Sequence, residues 1–335
     1  MPEQRATSNE QRRVAIIGAG PIGLELAVAL TRANLDYLHF DAAQIGATMQ
    51  WYPLEMVFHS NAERLAIAGV PIQVPDQQKI KREEFLAYLR AVALQFELEI
   101  KTFERVESIE RGDRFTLHTR AVDGPHVYQV DEVVLAIGAM HAPKLLGVPG
   151  EDLPHVAHYF RDPHTYFNKR LLIVGGRNSA IEAAVRCQRA GAHVTISYRR
   201  DDFDPTSVKF WLLPEIRSMI RDSRVRFLPR TSVVEIRNGT VLLDNGEDLA
   251  ADFVLALTGY RQDTTLFEML GVDLQGGDCK PVLDESTMET NAPGVFVAGT
   301  AVAGSPRERV RVIVEDCHVH VPRIVSALQQ RHVRS

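Results

Sequence analysis

Apolar positions in this chain fall into short unbroken runs that end in glycine or other small residues. Val14-Ala-Ile-Ile, Val133-Val-Leu-Ala136-Ile, Leu171-Leu-Ile-Val, Phe253-Val-Leu-Ala256-Leu and Val295-Phe-Val-Ala298 contain no polar member. Strands buried on both faces of a parallel sheet read this way, because neither face meets water. Lys81 to Phe96 reads differently: Phe85, Leu86, Leu89, Val92 and Leu94 follow helical spacing. Shorter strands are predicted around Glu99–Phe103 and Arg114–Thr119, and a helix from about Arg307 to Leu328. Strand and helix signals alternate, so the predicted class is α/β with parallel sheets.

Two of the apolar runs lead into glycine-rich turns and then helical sequence. The first is Gly18-Ala-Gly20-Pro-Ile-Gly23, a G-x-G-x-x-G pattern. The next strand, Tyr37-Leu-His-Phe-Asp41, ends in an acid 23 positions after Gly18. A carboxylate there accepts hydrogen bonds from a free ribose diol, which suits FAD or NAD. The second turn is Gly175-Gly176-Arg177-Asn178-Ser179-Ala180, and its following strand ends in Arg199-Arg200. Arg199 stands 24 positions after Gly175, where the first turn has its acid. Guanidinium groups suit a 2′-phosphate, so this half is expected to take NADPH. Arg177 replaces the middle glycine that normally admits the pyrophosphate, so either the phosphates sit further out or the side chain supplies a charged contact.

The closing strands of both halves end in glycine, Gly138 and Gly259, which lets the chain turn close to a nucleotide. Gly18 to Gly138 spans 120 positions and Gly175 to Gly259 spans 84, which points to Gln44–Pro75 as an addition to the first half. The run ending at Gly299-Thr300 returns to the first unit. The expected plan is two Rossmann-like domains, the second inserted into the first. Residues 13–160 and 290–330 form an FAD-binding domain, 165–285 an NADPH-binding domain, and 1–12 a disordered leader. The expected connections are Ala157–Tyr166 and Lys280–Thr290.

Composition removes several classes of function. A net charge of −5 brings no general attraction to nucleic acid or anionic membranes. No apolar run approaches a membrane span, and the polar start lacks the core of a signal peptide. Cys187, Cys279 and Cys317 are far apart, so no C-x-x-C redox or metal site exists and a cytoplasmic location is expected. A homo-oligomer is expected. His155, His158 and His164, and later His318 and His320, lack a ligand pattern, so no metal is expected.

The order of these landmarks resembles that of flavoproteins with two dinucleotide-binding domains, the group that includes thioredoxin reductase. It resembles more closely the YpdA-like bacillithiol-disulfide reductases. The segments that carry the likeness are Val148 to Phe160, Gly175 to Ala180, Tyr198-Arg199, and Lys209-Phe-Trp211 with Pro214. In that group the position of Arg177 is often basic. Two departures stand out. Thioredoxin reductases carry a C-x-x-C pair that this chain lacks, and YpdA-like proteins commonly have cysteine where Ile22 stands.

The resemblance implies that Thr48, Gln50 and Trp51 line the flavin, and that Gly299 and Thr300 face the ribityl chain where related enzymes have Gly-Asp. The helix after Thr300 is expected to aim its N-terminus at the flavin carbonyl. Gly18, Gly20 and Gly23 should carry the FAD pyrophosphate. Arg200 and Lys209 are second candidates for the 2′-phosphate. Cys317, expected well inside the last helix, is a minor candidate for redox catalysis; Cys187 is expected in a core. These features together predict a reductase that takes hydride from NADPH and reduces a small disulfide through FAD. The alternatives are a ferredoxin- or flavodoxin-type NADP reductase with a redox-protein partner, a flavin monooxygenase, and a sensor that holds both nucleotides without rapid turnover.

Overall fold

The computed structural model describes residues 13–75, 78–305 and 312–334. The leader expected at 1–12 lies outside the described residues. Two five-stranded parallel sheets organise the chain. In the first, the spatial order is Val295–Val297, Glu132–Leu135, Arg13–Ile17, Asp36–Asp41, Ile100–Thr102. In the second it is Val225–Pro229, His193–Tyr198, Arg170–Val174, Phe253–Ala256, Val156–Ala157. Each glycine turn therefore follows the central strand of its sheet. The apolar runs supply the cores: Val14, Ile16, Val134 and Phe296 are fully buried in one, Ile173, Ile196 and Leu255 in the other.

The helix expected at 81–96 is Arg82–Gln95, started by Lys81, whose N–H donates to Glu84 at 2.8 Å. Phe85, Leu89 and Val92 bury as its spacing requires, whereas Leu94 faces solvent. Each unit also carries a three-stranded antiparallel sheet. Arg105–Arg111, Phe115–Ala121 and Gly124–Val130 form one; Val233–Arg237, Thr240–Leu243 and Asp248–Ala250 form the other.

The second unit is inserted into the first, with crossings displaced from the expected ones. The chain leaves and returns through a two-strand antiparallel ribbon, Ala142–Pro143 against Tyr260–Arg261. Leu146, Val148, Leu153 and Val156 pack on Val233 and Ile236 of the second unit, so 145–157 belongs there. Leu266, Phe267, Leu270 and Val272 pack in the first core, so the stretch before 280 has already returned. Ribbon pairing, invisible in periodicity, decides the boundary.

The last helix also differs from expectation. It runs His320–Arg334, preceded by a short turn at Val314–Asp316. Pro322 explains the late start, since it has no N–H to give to a carbonyl four residues back and is tolerated only in a helix's first turn. The beginning expected near Arg307 lies outside the described residues, and Cys317 sits before the helix instead of within it.

Candidate functional site

The first glycine turn divides its three glycines between two duties. Gly18 has φ +111°, and a Cβ there would lie 2.4 Å from the Ala136 carbonyl oxygen. A Cβ on Gly23 would lie 1.9 Å from the Gly18 oxygen. Both glycines are therefore demanded by the packing of helix on strand. Gly20 is different: its backbone is extended, and a Cβ would meet no protein atom within 4 Å. It stands at the start of the twelve-residue helix Pro21–Arg32 and opens on a cavity, leaving a cradle for an anionic group beside the helix's free N–H groups.

Behind this turn, Asp41 accepts from Ala19 N–H at 2.6 Å through Oδ2 and from Ala43 N–H at 2.8 Å through Oδ1. Burial pushes its carboxyl up from the ordinary value, and those two donors work against the shift. The acid expected to meet a ribose thus also holds the turn, with lone pairs left over on the cavity side. His39, which sequence reasoning passed over, is fully buried with Nε2 3.0 Å from the Gly18 oxygen. Burial lowers its pKa to about 4, so the neutral ring donates through Nε2–H.

The opposite wall is made by the ends of two other strands. Gly138 and Gly299 have φ of +73° and +72°. The Thr300 hydroxyl accepts from Ala139 N–H at 3.2 Å, tying the two strand ends together. His320 accepts the Gly299 N–H through Nδ1 at 3.2 Å, and burial lowers its pKa to about 4 as well. His318, two residues earlier, lies 2.7 Å from Glu25 and is pushed up by that carboxylate.

The second turn repeats the plan with one change. Gly175 has φ +140°, and a Cβ there would lie 2.5 Å from the Leu257 oxygen. A Cβ on Gly176 would lie 2.6 Å from the Tyr198 ring. Arg177 takes the place of Gly20 in the first turn, standing extended before the Asn178–Arg189 helix. Burial and the nearby Arg199 and Arg200 weaken the hold of Arg177 on its charge. Such crowding of guanidinium groups favours an anion among them. Arg199, Thr206, Ser207 and Ser179 line the same pocket. Thr206 and Ser207 were not anticipated; a loop anchored by Asp204, which accepts from both hydroxyls at 2.8 and 2.9 Å, presents them.

Both turns open on one cavity of about 1730 Å³, which has room for the two nucleotides. Thr48, Trp51, Tyr52 and Ile22 also line it. Asn178 uses its Oδ1 to accept the Lys209 N–H at 2.7 Å. Lys209 Nζ lies 3.5 Å from Glu182 and 5.7 Å from the Trp211 ring centroid. Three expected contacts are not brought to the cavity. Gln50 is exposed and offers its main-chain oxygen to Arg82, Arg200 lies 4.0 Å from Asp204, and Gly23 serves packing alone. Cys187 and Cys317 are fully buried away from the cavity, and burial pushes both thiols up to about 12. The Cys317 thiol donates to the Ile313 oxygen at 3.2 Å, so it is a protonated core residue. Among the described residues no group of His, Cys, Asp or Glu could hold a metal, and no helix is long and apolar enough to cross a membrane.

Residues 15–299 match the family model of the pyridine nucleotide-disulphide oxidoreductases, and the chain belongs to that family. It is an oxidoreductase that uses FAD and NADPH, in keeping with the acid after one turn and the arginine after the other. It is 32% identical over 327 residues to the bacilliredoxin reductase Bdr of Bacillus subtilis, covering 96% of this chain and 98% of that one. The bacillithiol disulfide reductase Bdr (YpdA) from Bacillus cereus superposes with a TM-score of 0.91 at 33% identity, covering 96% and 99% of the two chains. A ferredoxin–NADP reductase from Ignicoccus hospitalis is 28% identical over 86% of this chain and 89% of its own.

Proposed function

We propose that this enzyme reduces a low-molecular-weight disulfide at the expense of NADPH, with FAD as the intermediate carrier. The observation that carries the reading is the shared cavity, on which the open cradle at Gly20 and the arginine-rich second turn both face. When bound, the two cofactors supply hydride transfer and the onward delivery of two electrons. The net reaction is NADPH, a proton and RSSR giving NADP⁺ and two RSH.

The chain's own part is binding and orientation. Gly20 and the N–H groups of the Pro21–Arg32 helix hold one pyrophosphate, and Asp41 faces the adjoining ribose. Arg199, aided by Arg177, holds the 2′-phosphate. Trp51, Tyr52 and Ile22 give the redox end an apolar wall that excludes water. No cysteine lines the cavity among the described residues, so electrons pass to the acceptor without a protein mixed disulfide. The three cysteines are free, as in a cytosolic protein, and we place the enzyme there, as a homo-oligomer.

A ferredoxin- or flavodoxin-type NADP reductase is the second reading, favoured by the absence of a cavity thiol and by the likeness to the Ignicoccus enzyme. Anaerobic reduction of the purified protein by NADPH, then reoxidation by a panel of disulfides and one-electron protein acceptors, separates the two. Fast reoxidation by a small disulfide supports the first. Reoxidation by the one-electron proteins alone would replace it with the second.

A further inference from the structure

The seam between the two units is closed by contacts that neither glycine turn explains. Arg186 stands in the last turn of the Asn178–Arg189 helix, whose beginning forms the second glycine turn. Its Nη2 crosses to the first unit and donates to the Leu54 main-chain oxygen at 2.6 Å. The Leu54 N–H donates at 3.0 Å to the oxygen of Arg161, which follows the second unit's edge strand. The guanidinium also lies 5.3 Å from the Phe160 ring centroid, and its Nη1 is 3.7 Å from Glu182. With 23% of its side chain exposed, this cation is largely withdrawn from water, a position held by those partners.

A second contact pins the same seam elsewhere. Trp211 of the second unit lies 4.6 Å, ring to ring, from His59 of the first. Lys79 Nζ, also from the first unit, sits 4.8 Å over the indole. One contact alone would leave the inserted unit free to pivot about its thin two-strand ribbon. Two contacts, on separate segments of the first unit, remove that freedom. Leu54 closely follows Trp51 and Tyr52, which line the cavity. The one helix thus presents its first turn to the nicotinamide nucleotide and its last turn to the segment that walls the redox end.

We infer that Arg186, assisted by Trp211, is a positioning residue that holds the inserted unit where both glycine turns share one cavity, so that hydride transfer needs no rotation of one domain against the other. The inference rests on the nucleotide sites proposed above and adds the device that aligns them. Arg186→Ala, Trp211→Ala and the double variant test it, with Arg186→Lys and Trp211→Phe as conservative controls that keep the bulk. Flavin content and NADP⁺ affinity should match the unaltered protein. Hydrogen exchange at the Leu54 amide should quicken in the nucleotide-free Arg186→Ala protein. Anaerobic flavin reduction by NADPH should slow by about tenfold or more, as small misplacements of reacting groups do. Reoxidation after dithionite reduction should keep its rate, and Arg186→Lys should recover part of the loss. A normal reduction rate and normal Leu54 exchange in Arg186→Ala would overturn the inference. So would a parallel loss of NADP⁺ affinity, which would make Arg186 a ligand contact. Failure of NADPH to reduce the unaltered protein would overturn the reading of the site, and the alignment device with it.

Discussion

The Nε2 of His39 lies 3.0 Å from the carbonyl oxygen of Gly18, so a fully buried, neutral imidazole braces the turn that opens on the cavity. His320 plays the matching part on the far wall, accepting from Gly299. Both have folded pKa values lowered to about 4, against an ordinary value of 6.5. Above pH 6.5 both states of the chain carry neutral rings and the pair leaves stability unchanged. As pH falls from 6.5 towards 4, the unfolded chain binds protons that the folded one refuses, and stability drops. The loss should approach about 3 kcal/mol for each ring at the acid end. Thermal melts between pH 7 and 4 should show it, and His39→Gln should flatten the dependence. An unchanged slope in that variant would remove His39 from the explanation.

The glycines of the first turn should respond differently to the same insult. Gly20→Val meets no protein atom, so the protein should fold with a nearly normal melt and purify without its yellow colour. Gly23→Ala forces a methyl into the Gly18 carbonyl, so it should lose stability itself, in the range of about 1–3 kcal/mol typical of overpacking. Normal flavin content in Gly20→Val would place the FAD elsewhere.

Of the two adjacent arginines, Arg199 should matter more for the nucleotide. It lines the cavity, whereas Arg200 is off it and faces Asp204. Arg199→Ala should weaken NADPH binding by about 1.5–3 kcal/mol, the worth of hydrogen bonds to a charged group, and leave NADH nearly untouched. Arg200→Ala should have a much smaller effect. Titration of each variant with both nucleotides checks this; equal losses for NADH and NADPH would refute a 2′-phosphate role.

Electron flow should survive removal of every thiol. Replacing Cys187, Cys279 and Cys317 together by serine should leave NADPH-to-acceptor turnover largely intact. The melting point should fall, because two of the three sites are fully buried. A Cys317→Ser protein that is reduced by NADPH but no longer reoxidised would show that a thiol takes part after all.

The sequence by itself determined the parallel α/β class, the two glycine turns, and the contrast between Asp41 and Arg199. Those features are local: an all-apolar strand, a glycine that alone tolerates its φ, and a charge at the next strand's end each act within a few dozen residues. The sequence also lacks a C-x-x-C centre, and Pro322 marks the first turn of the last helix. What lay beyond reach depends on side chains that meet across the fold. The ribbon at 142–143 and 260–261 moved the domain boundaries because its strands are too short to show a period. Packing decided that Gly20 faces the ligand while Gly23 faces the chain, though the two look alike in the motif. Tertiary structure also buried His39 and His320 against main-chain groups, set Gln50 and Arg200 off the cavity, and brought Arg186 to Leu54 across 132 positions. Such contacts form only when strands, helices and units pack on one another, and no spacing along the chain records them.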